Sequence, residues 1–225
     1  REAARGKALV RTFSLASSSS SVGLNETGLV DRVHGDHYPL EAIRLRGRHN
    51  MENACAAIAL TRSLGVEASV VREVLGRFEG LAHRCVRVAV ARGVTFYDDS
   101  KGTNVGASVA ALRGLPEPRT VLIAGGKDKL GAYEPLVAAL RDRGRALVVI
   151  GEAAERIAAA ADGVVPILRA SSLEEAVRLA FEQARAGDAV LLSPACASFD
   201  MFRDYKHRGD VFTEAARALA EERGP

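Results

Sequence analysis

Five side chains in three short loops could act on an anionic substrate: Lys101, Lys129, the hydroxyls of Thr103 and Ser198, and the carboxylate of Asp99. Ammonium groups neutralise phosphate or carboxylate oxygens, and an aspartate accepts hydrogen bonds from ribose hydroxyls. Gathered at one crevice, the set suits an anion bound beside a nucleotide, with helix N-termini adding donors. The loops are Asp98-Asp99-Ser100-Lys101-Gly102-Thr103-Asn104, Gly125-Gly126-Lys127-Asp128-Lys129 and Pro194-Ala195-Cys196-Ala197-Ser198-Phe199-Asp200. Taken singly, each has a plainer reading. Asp98 and Asp99 can open a turn, Asn104 can cap the following helix, Gly125-Gly126 can serve a tight turn, Lys127 can be solvated, and Cys196 reads as a small buried residue.

Those loops need a frame that brings them to one edge. Short Val/Leu/Ile runs at 119–124, 146–150, 164–168 and 189–193 have the character of parallel strands buried on both faces. Helical patterns at 104–115, 133–141, 153–161 and 172–186 alternate with them, the last opening on the capping pair Ser172 and Glu175. Residues 86–91 and 94–98 read as a hairpin across Arg92-Gly93, and a final helix is predicted over 210–222. The fold class is α/β, with a Rossmann-like doubly wound, mostly parallel sheet in residues 81–225. Ligands of such a sheet bind beyond the carboxyl ends of its strands, where all three loops open. Residues 1–80 read differently: a loop-rich start with the run Ser17 to Ser21, short strand candidates at 7–13 and 40–45, then helices from His49 to about Gly65 and over 69–78.

Composition narrows the function classes. The 225 residues are 48% hydrophobic and 26% charged, with mean hydropathy near zero, as in a globular protein. A net charge of +3, spread along the chain and paired with only 5% aromatics, argues against nucleic-acid binding. No apolar run reaches membrane-spanning length. Three scattered cysteines fit a reducing cytoplasm better than a disulfide framework. There is no GxxxxGK[ST] phosphate loop, so nothing in the chain holds a triphosphate unaided. The absence of a GxGxxG fingerprint disfavours a nicotinamide oxidoreductase.

Five blocks in order and spacing carry a resemblance: Gly47-Arg48-His49-Asn50-Met51-Glu52-Asn53, Gly80-Leu81-Ala82-His83-Arg84, the loop Asp99 to Asn104, the loop Gly125 to Lys129, and Ser193 to Asp200. Over residues 40–215 the chain resembles the Mur ligases, and the last block resembles the branch that adds D-glutamate. The resemblance implies an ATP-dependent carboxylate–amine ligase of peptidoglycan synthesis, cytoplasmic and monomeric. Its substrates would be UDP-N-acetylmuramoyl-L-alanine and D-glutamate, joined through an acyl phosphate with ATP and Mg2+. It further implies that Asn50 and Asn53 lie near adenine, where helix capping is the alternative. Arg84 and Asp99 would serve the nucleotide phosphates and ribose. Lys101 and Lys129 would be catalytic, and with Thr103, Ser198 and Tyr205 would hold D-glutamate. Tyr205 stands where the branch often has Phe, and Gly102 where Ala is common. Residues 1–80 would be the back part of a central ATPase domain whose phosphate loop and magnesium ligands precede Arg1, so no metal ligand is expected in the chain, and the chain alone is expected to be inactive. The alternatives are another Mur-type or folylpolyglutamate-type ligase, or a non-catalytic nucleotide-binding module.

Overall fold

The computed structural model describes residues 9–45, 47–128 and 130–224, and the chain divides into two compact units between Gly80 and Leu81. In the first, strands β1 (Phe13–Ser14), β2 (Val22–Leu24), β3 (Gly28–Asp31) and β4 (Asp36–Pro39) form a sheet in that order. β1 runs parallel to β2, and β2–β3 and β3–β4 are antiparallel. Helices α1 (Arg48–Ser63) and α2 (Ala68–Arg77) follow. Val22, Leu29, Tyr38, Met51, Cys55, Ile58 and Val71 form one core between sheet and helices. The loop-rich reading of this segment is corrected by the structure. Strands of two to four residues are too short to display an alternating pattern, and polar contacts close their turns. Asn25 Oδ1 accepts from the N–H groups of Thr27 and Gly28, and Gly35 turns the chain at φ 74°. Of the strand expected at 7–13, only Phe13 is in a described strand, and Leu40–Ala42 is a single 3-10 turn.

The second unit is the doubly wound sheet. Strands β5 (Val86–Ala91), β6 (Val94–Asp98), β7 (Thr120–Gly125), β8 (Gly144–Ile150), β9 (Ile167–Arg169) and β10 (Ala189–Leu192) lie in the order β5-β6-β10-β7-β8-β9. Only β5 is antiparallel to its neighbour. The helices are α3 (Val105–Gly114), α4 (Glu134–Arg143), α5 (Ala154–Ala160), α6 (Leu173–Gln183) and α7 (Tyr205–Arg223). Strand side chains alternate between faces, and the two cores follow that alternation. Leu122, Ala124, Leu147, Val149 and Leu191 pack with α3, α4 and α5, while Val121, Ile123, Val148, Ile150 and Val190 pack with α6 and α7.

This winding fixes where a ligand can enter. From β7 the chain moves outward through β8 and β9, then returns to insert β10 on the other side of β7. The helix after β7 covers one face and the helix after β10 covers the other. A crevice opens where strand order reverses in this way. Here it lies between β7 and β10, with β6 next to β10.

Two elements of this unit start three or more residues from where the pattern puts them. β9 begins at Ile167 and not at 164, because Val164 N–H closes a turn onto Ala161 O and Pro166 has no N–H to give a ladder. The last helix begins at Tyr205 and not at 210. Its first turn is polar and so lacks the apolar signal, but Asp204 caps it by accepting from His207 N–H at 2.8 Å.

Candidate active site

The loops after β6, β7 and β10 are bonded to one another through their backbones. Asp99 N–H donates to Leu192 O, Ala195 N–H to Gly102 O, Gly125 N–H to Pro194 O, and Lys127 N–H to Ala197 O. Gly125 (φ 121°) and Gly126 (φ 132°) are required at this junction, since a side chain at either would strike the carbonyl of Ile150 or of Ala197.

Asp99 is buried, 8% exposed. Its Oδ2 accepts from Ser193 Oγ at 2.6 Å, and Ser193 Oγ is 2.9 Å from Ser108 Oγ. Burial pushes its carboxyl up to about 6; the Ser193 hydroxyl, the Cys85 N–H and the Arg84 charge pull the other way, and neighbouring Asp98 adds to the rise. Asp98 plays a separate part, in which Oδ1 accepts from Ser100 N–H and Oδ2 accepts from His83 Nδ1–H at 2.6 Å. Gly209 makes room for that pair, because a Cβ there would overlap the imidazole.

Lys101 donates its N–H to His83 O, and its Nζ sits 4.0 Å from the centroid of the Tyr205 ring. Thr103 continues the turn, its N–H bonded to Lys101 O at 2.8 Å. Ser198, 2% exposed, accepts through its carbonyl from the N–H groups of Met201 and Phe202. Arg84 is exposed just before β5. The structure thus brings Arg84, Asp99, Lys101, Thr103, Ser198 and Tyr205 to the same end of the second unit. Lys129 lies outside the described residues. Its flanks are anchored through Asp128, whose carboxylate accepts from Leu130 N–H, from the Tyr133 hydroxyl and from Arg156. Asn50 and Asn53 are on α1 in the first unit, whose N-cap residue is Gly47.

Several plainer readings stand. Asn104 Oδ1 caps α3 by accepting from Ala107 N–H at 2.9 Å. Lys127 is not merely solvated, because its half-exposed ammonium pairs with Glu152 at 2.6 Å. Cys196 is buried against the Tyr133 hydroxyl, and burial raises its thiol pKa, the opposite of an activated nucleophile.

Sequence reasoning missed Arg208, which is fully buried. Its guanidinium donates to Ser100 Oγ (3.0 Å), Ser100 O (2.9 Å), Cys196 O (3.3 Å) and Ala197 O (3.2 Å), joining the loops after β6 and β10. Burial lowers its pKa to about 10, with Cys196, Asp200 and Asp98 opposing. The signal was present: Arg208 stands on the same helical stripe as Phe212, Ala216 and Leu219, a cation in line with core positions.

Among the described residues, one group of carboxylates and imidazole has metal-ligand spacing: Asp31, His34 and Asp36. It fits a turn lock better than magnesium, which prefers oxygen ligands in an octahedron. Asp31 Oδ2 accepts from His34 at 2.6 Å, and Asp36 pairs with Arg62 at 2.8 Å. No described helix is long and apolar enough to cross a membrane.

A doubly wound unit whose switch point collects cations, hydroxyls and a buried carboxylate is an arrangement suited to anionic ligands. Residues 83–196 match the family model described as Mur ligase, glutamate ligase domain, and the chain belongs to the Mur ligase family. Over 218 residues it is 50% identical to the UDP-N-acetylmuramoylalanine--D-glutamate ligase of Nitrosospira multiformis, a match that covers 94% of this chain and 46% of that protein. The chain therefore spans about half the length of the curated relatives it matches. Among solved structures it is similar to a UDP-N-acetylmuramate-alanine ligase from Thermotoga maritima (TM-score 0.67, 17% identity, 92% of this chain and 48% of that one). It is also similar to the MurF ligase of Thermotoga maritima in complex with ADP (TM-score 0.54, 18% identity, 84% and 41%). At these identities the structures speak to fold.

Proposed function

We propose that the chain is the amino-acid-accepting half of a cytoplasmic, monomeric ligase that joins D-glutamate to UDP-N-acetylmuramoyl-L-alanine at the expense of ATP. What carries the reading is the 50% identity, over 94% of the chain, to the Nitrosospira multiformis ligase named for that reaction. In the reaction the terminal carboxylate takes the γ-phosphoryl group of ATP, giving an acyl phosphate and ADP. The D-glutamate amine attacks the acyl carbon, and the tetrahedral intermediate collapses to the amide with loss of phosphate and a proton.

Each site residue then has a role. Lys101 and Lys129 offset the negative charge of the acyl phosphate and of the D-glutamate carboxylates. Thr103, Ser198 and Tyr205 orient D-glutamate. Asp99 accepts from a ribose hydroxyl, a role suited to a carboxylate already held by Ser193, and exposed Arg84 meets phosphate oxygens. Asn50 and Asn53 hold adenine, and the first unit belongs to the ATP-binding domain. Mg2+, when bound, would neutralise phosphate charge, and none of the described residues is assigned to hold it. The chain by itself turns over nothing.

The test replaces the matching segment of the Nitrosospira multiformis ligase with this chain and measures phosphate release. Ser198→Ala or Lys101→Met in that chimera raises the KM for D-glutamate at least tenfold and leaves the KM for ATP within twofold. Equal effects on both substrates would contradict the assignment, as would phosphate release by the isolated chain.

A further inference from the structure

Two lysines at the sheet edge are treated in opposite ways. The Lys127 ammonium is paired with the Glu152 carboxylate at 2.6 Å. The Lys101 ammonium lies over the face of Tyr205, 4.0 Å from the ring centroid, and among the described residues no carboxylate pairs with it. An aromatic face attracts a cation through its quadrupole but does not neutralise it. A lysine held this way keeps its net charge and its hydrogen-bond donors for an incoming anion while surrendering the rotamer freedom that binding would otherwise cost.

The ring is itself fixed from behind. His83 meets it edge-on, with centroids 6.1 Å apart and planes at 82°, and Asp98 holds His83 at 2.6 Å. The Tyr205 carbonyl accepts from Ser100 Oγ at 2.7 Å, and Ser100 accepts in turn from Arg208. The Lys101 backbone is tied to His83 O. Asp98, His83, Tyr205 and Lys101 thus form a continuous support.

We propose that the ring of Tyr205 is the positioning element of the acceptor site, holding the Lys101 ammonium preorganised and uncommitted for a carboxylate of the incoming amino acid. This rests on the reading of Lys101 as a D-glutamate contact. The support runs through the face and edge of the Tyr205 ring and through its backbone, not through its hydroxyl, so a phenylalanine serves equally and a leucine does not.

The experiment uses the full 225-residue chain labelled with 13C-lysine, with Lys101→Arg assigning the Lys101 signals and Lys127 as the internal control. In the wild type the Lys101 ε-protons are shifted upfield by the ring, and titration with D-glutamate moves them. Tyr205→Phe keeps both properties. Tyr205→Leu returns the ε-protons to exposed-lysine positions and weakens D-glutamate binding about tenfold, with amide signals of the second unit outside the site unchanged. Unshifted Lys101 protons in the wild type or in Tyr205→Phe overturn the proposal, and so does undiminished D-glutamate binding by a folded Tyr205→Leu. The wild-type and Phe results decide the stack even where the Leu variant fails to fold. Wild-type Lys101 signals that D-glutamate leaves unmoved overturn the role together with the substrate reading, and a persisting ring shift distinguishes that failure from failure of the stack.

Discussion

Buried charge is the dominant fact at the scale of single residues. Folding raises the Asp99 carboxyl from its ordinary 3.8 to about 6, so the folded chain holds this proton more tightly than the unfolded one. The group therefore costs stability above about pH 6, on the order of 3 kcal/mol, and acidification from pH 7 toward 4 relieves that cost. Asp99→Asn is expected to flatten this part of the stability profile in denaturant titrations from pH 4 to 7. With Asp99 in the proposed ribose contact, nucleotide affinity of the chimeric ligase should fall as pH drops through about 6, because a protonated Asp99 accepts less well, and Asp99→Asn should abolish that inflection. Arg208 poses the reverse problem. Arg208→Met strands the carbonyls of Ser100, Cys196 and Ala197, and urea unfolding should show a loss of about 3 kcal/mol. The placement of Asp99, Lys101 and Ser198 in polar loops directly after apolar strands was legible in the sequence. Arg208 was missed although it lies in line with core positions, because the last helix was expected to begin at 210 and a stripe read by hydrophobicity passes over a cation; its four oxygen acceptors come from the fold.

Elements differ in how much of their making is local. Most strands and helices of the second unit could be read from the sequence because the strands are continuous apolar runs and the helices alternate with them, and Asn104 and Ser172 mark helix starts by accepting from the third residue on. Asn104→Ala should lower unfolding stability by about 1 kcal/mol, the cost of a lost cap, without altering D-glutamate affinity; a selective loss of affinity would give Asn104 a ligand role instead. β1 to β4 escaped a local reading because their stability comes from packing on α1 and from turn bonds. The polar start of α7 escaped for a related reason, since its cap carries the information and its side chains do not. At the β6–α3 turn, Gly102 stands against Asp99 Oδ2 and Ser193 Oγ closely enough that a Cβ would displace one of them. Gly102→Ala should cost about 1 to 3 kcal/mol in thermal or urea unfolding. An Ala variant of unchanged stability would mean that the Asp99–Ser193 contact relaxes freely.

For the molecule as a whole, the winding of one sheet accounts for the site. Insertion of β10 between β6 and β7 sets three loops side by side, and Arg208, Gly125 and Gly126 let them touch. The order of the five sequence blocks made this unit legible, because the loops that bear the last three all follow parallel strands. The nucleotide side was less legible, since triphosphate binding needs a phosphate loop that these 225 residues do not contain. An acceptor half that works when joined to a nucleotide-binding half is therefore expected. The most direct test is phosphate release by the Nitrosospira multiformis chimera with MgATP and UDP-N-acetylmuramoyl-L-alanine, comparing D-glutamate with L-glutamate and with no amino acid. Release that requires D-glutamate is the expected result. Release supported equally by L-glutamate, or a well-folded chimera that releases no phosphate with D-glutamate, would contradict the assignment of this chain to the D-glutamate step.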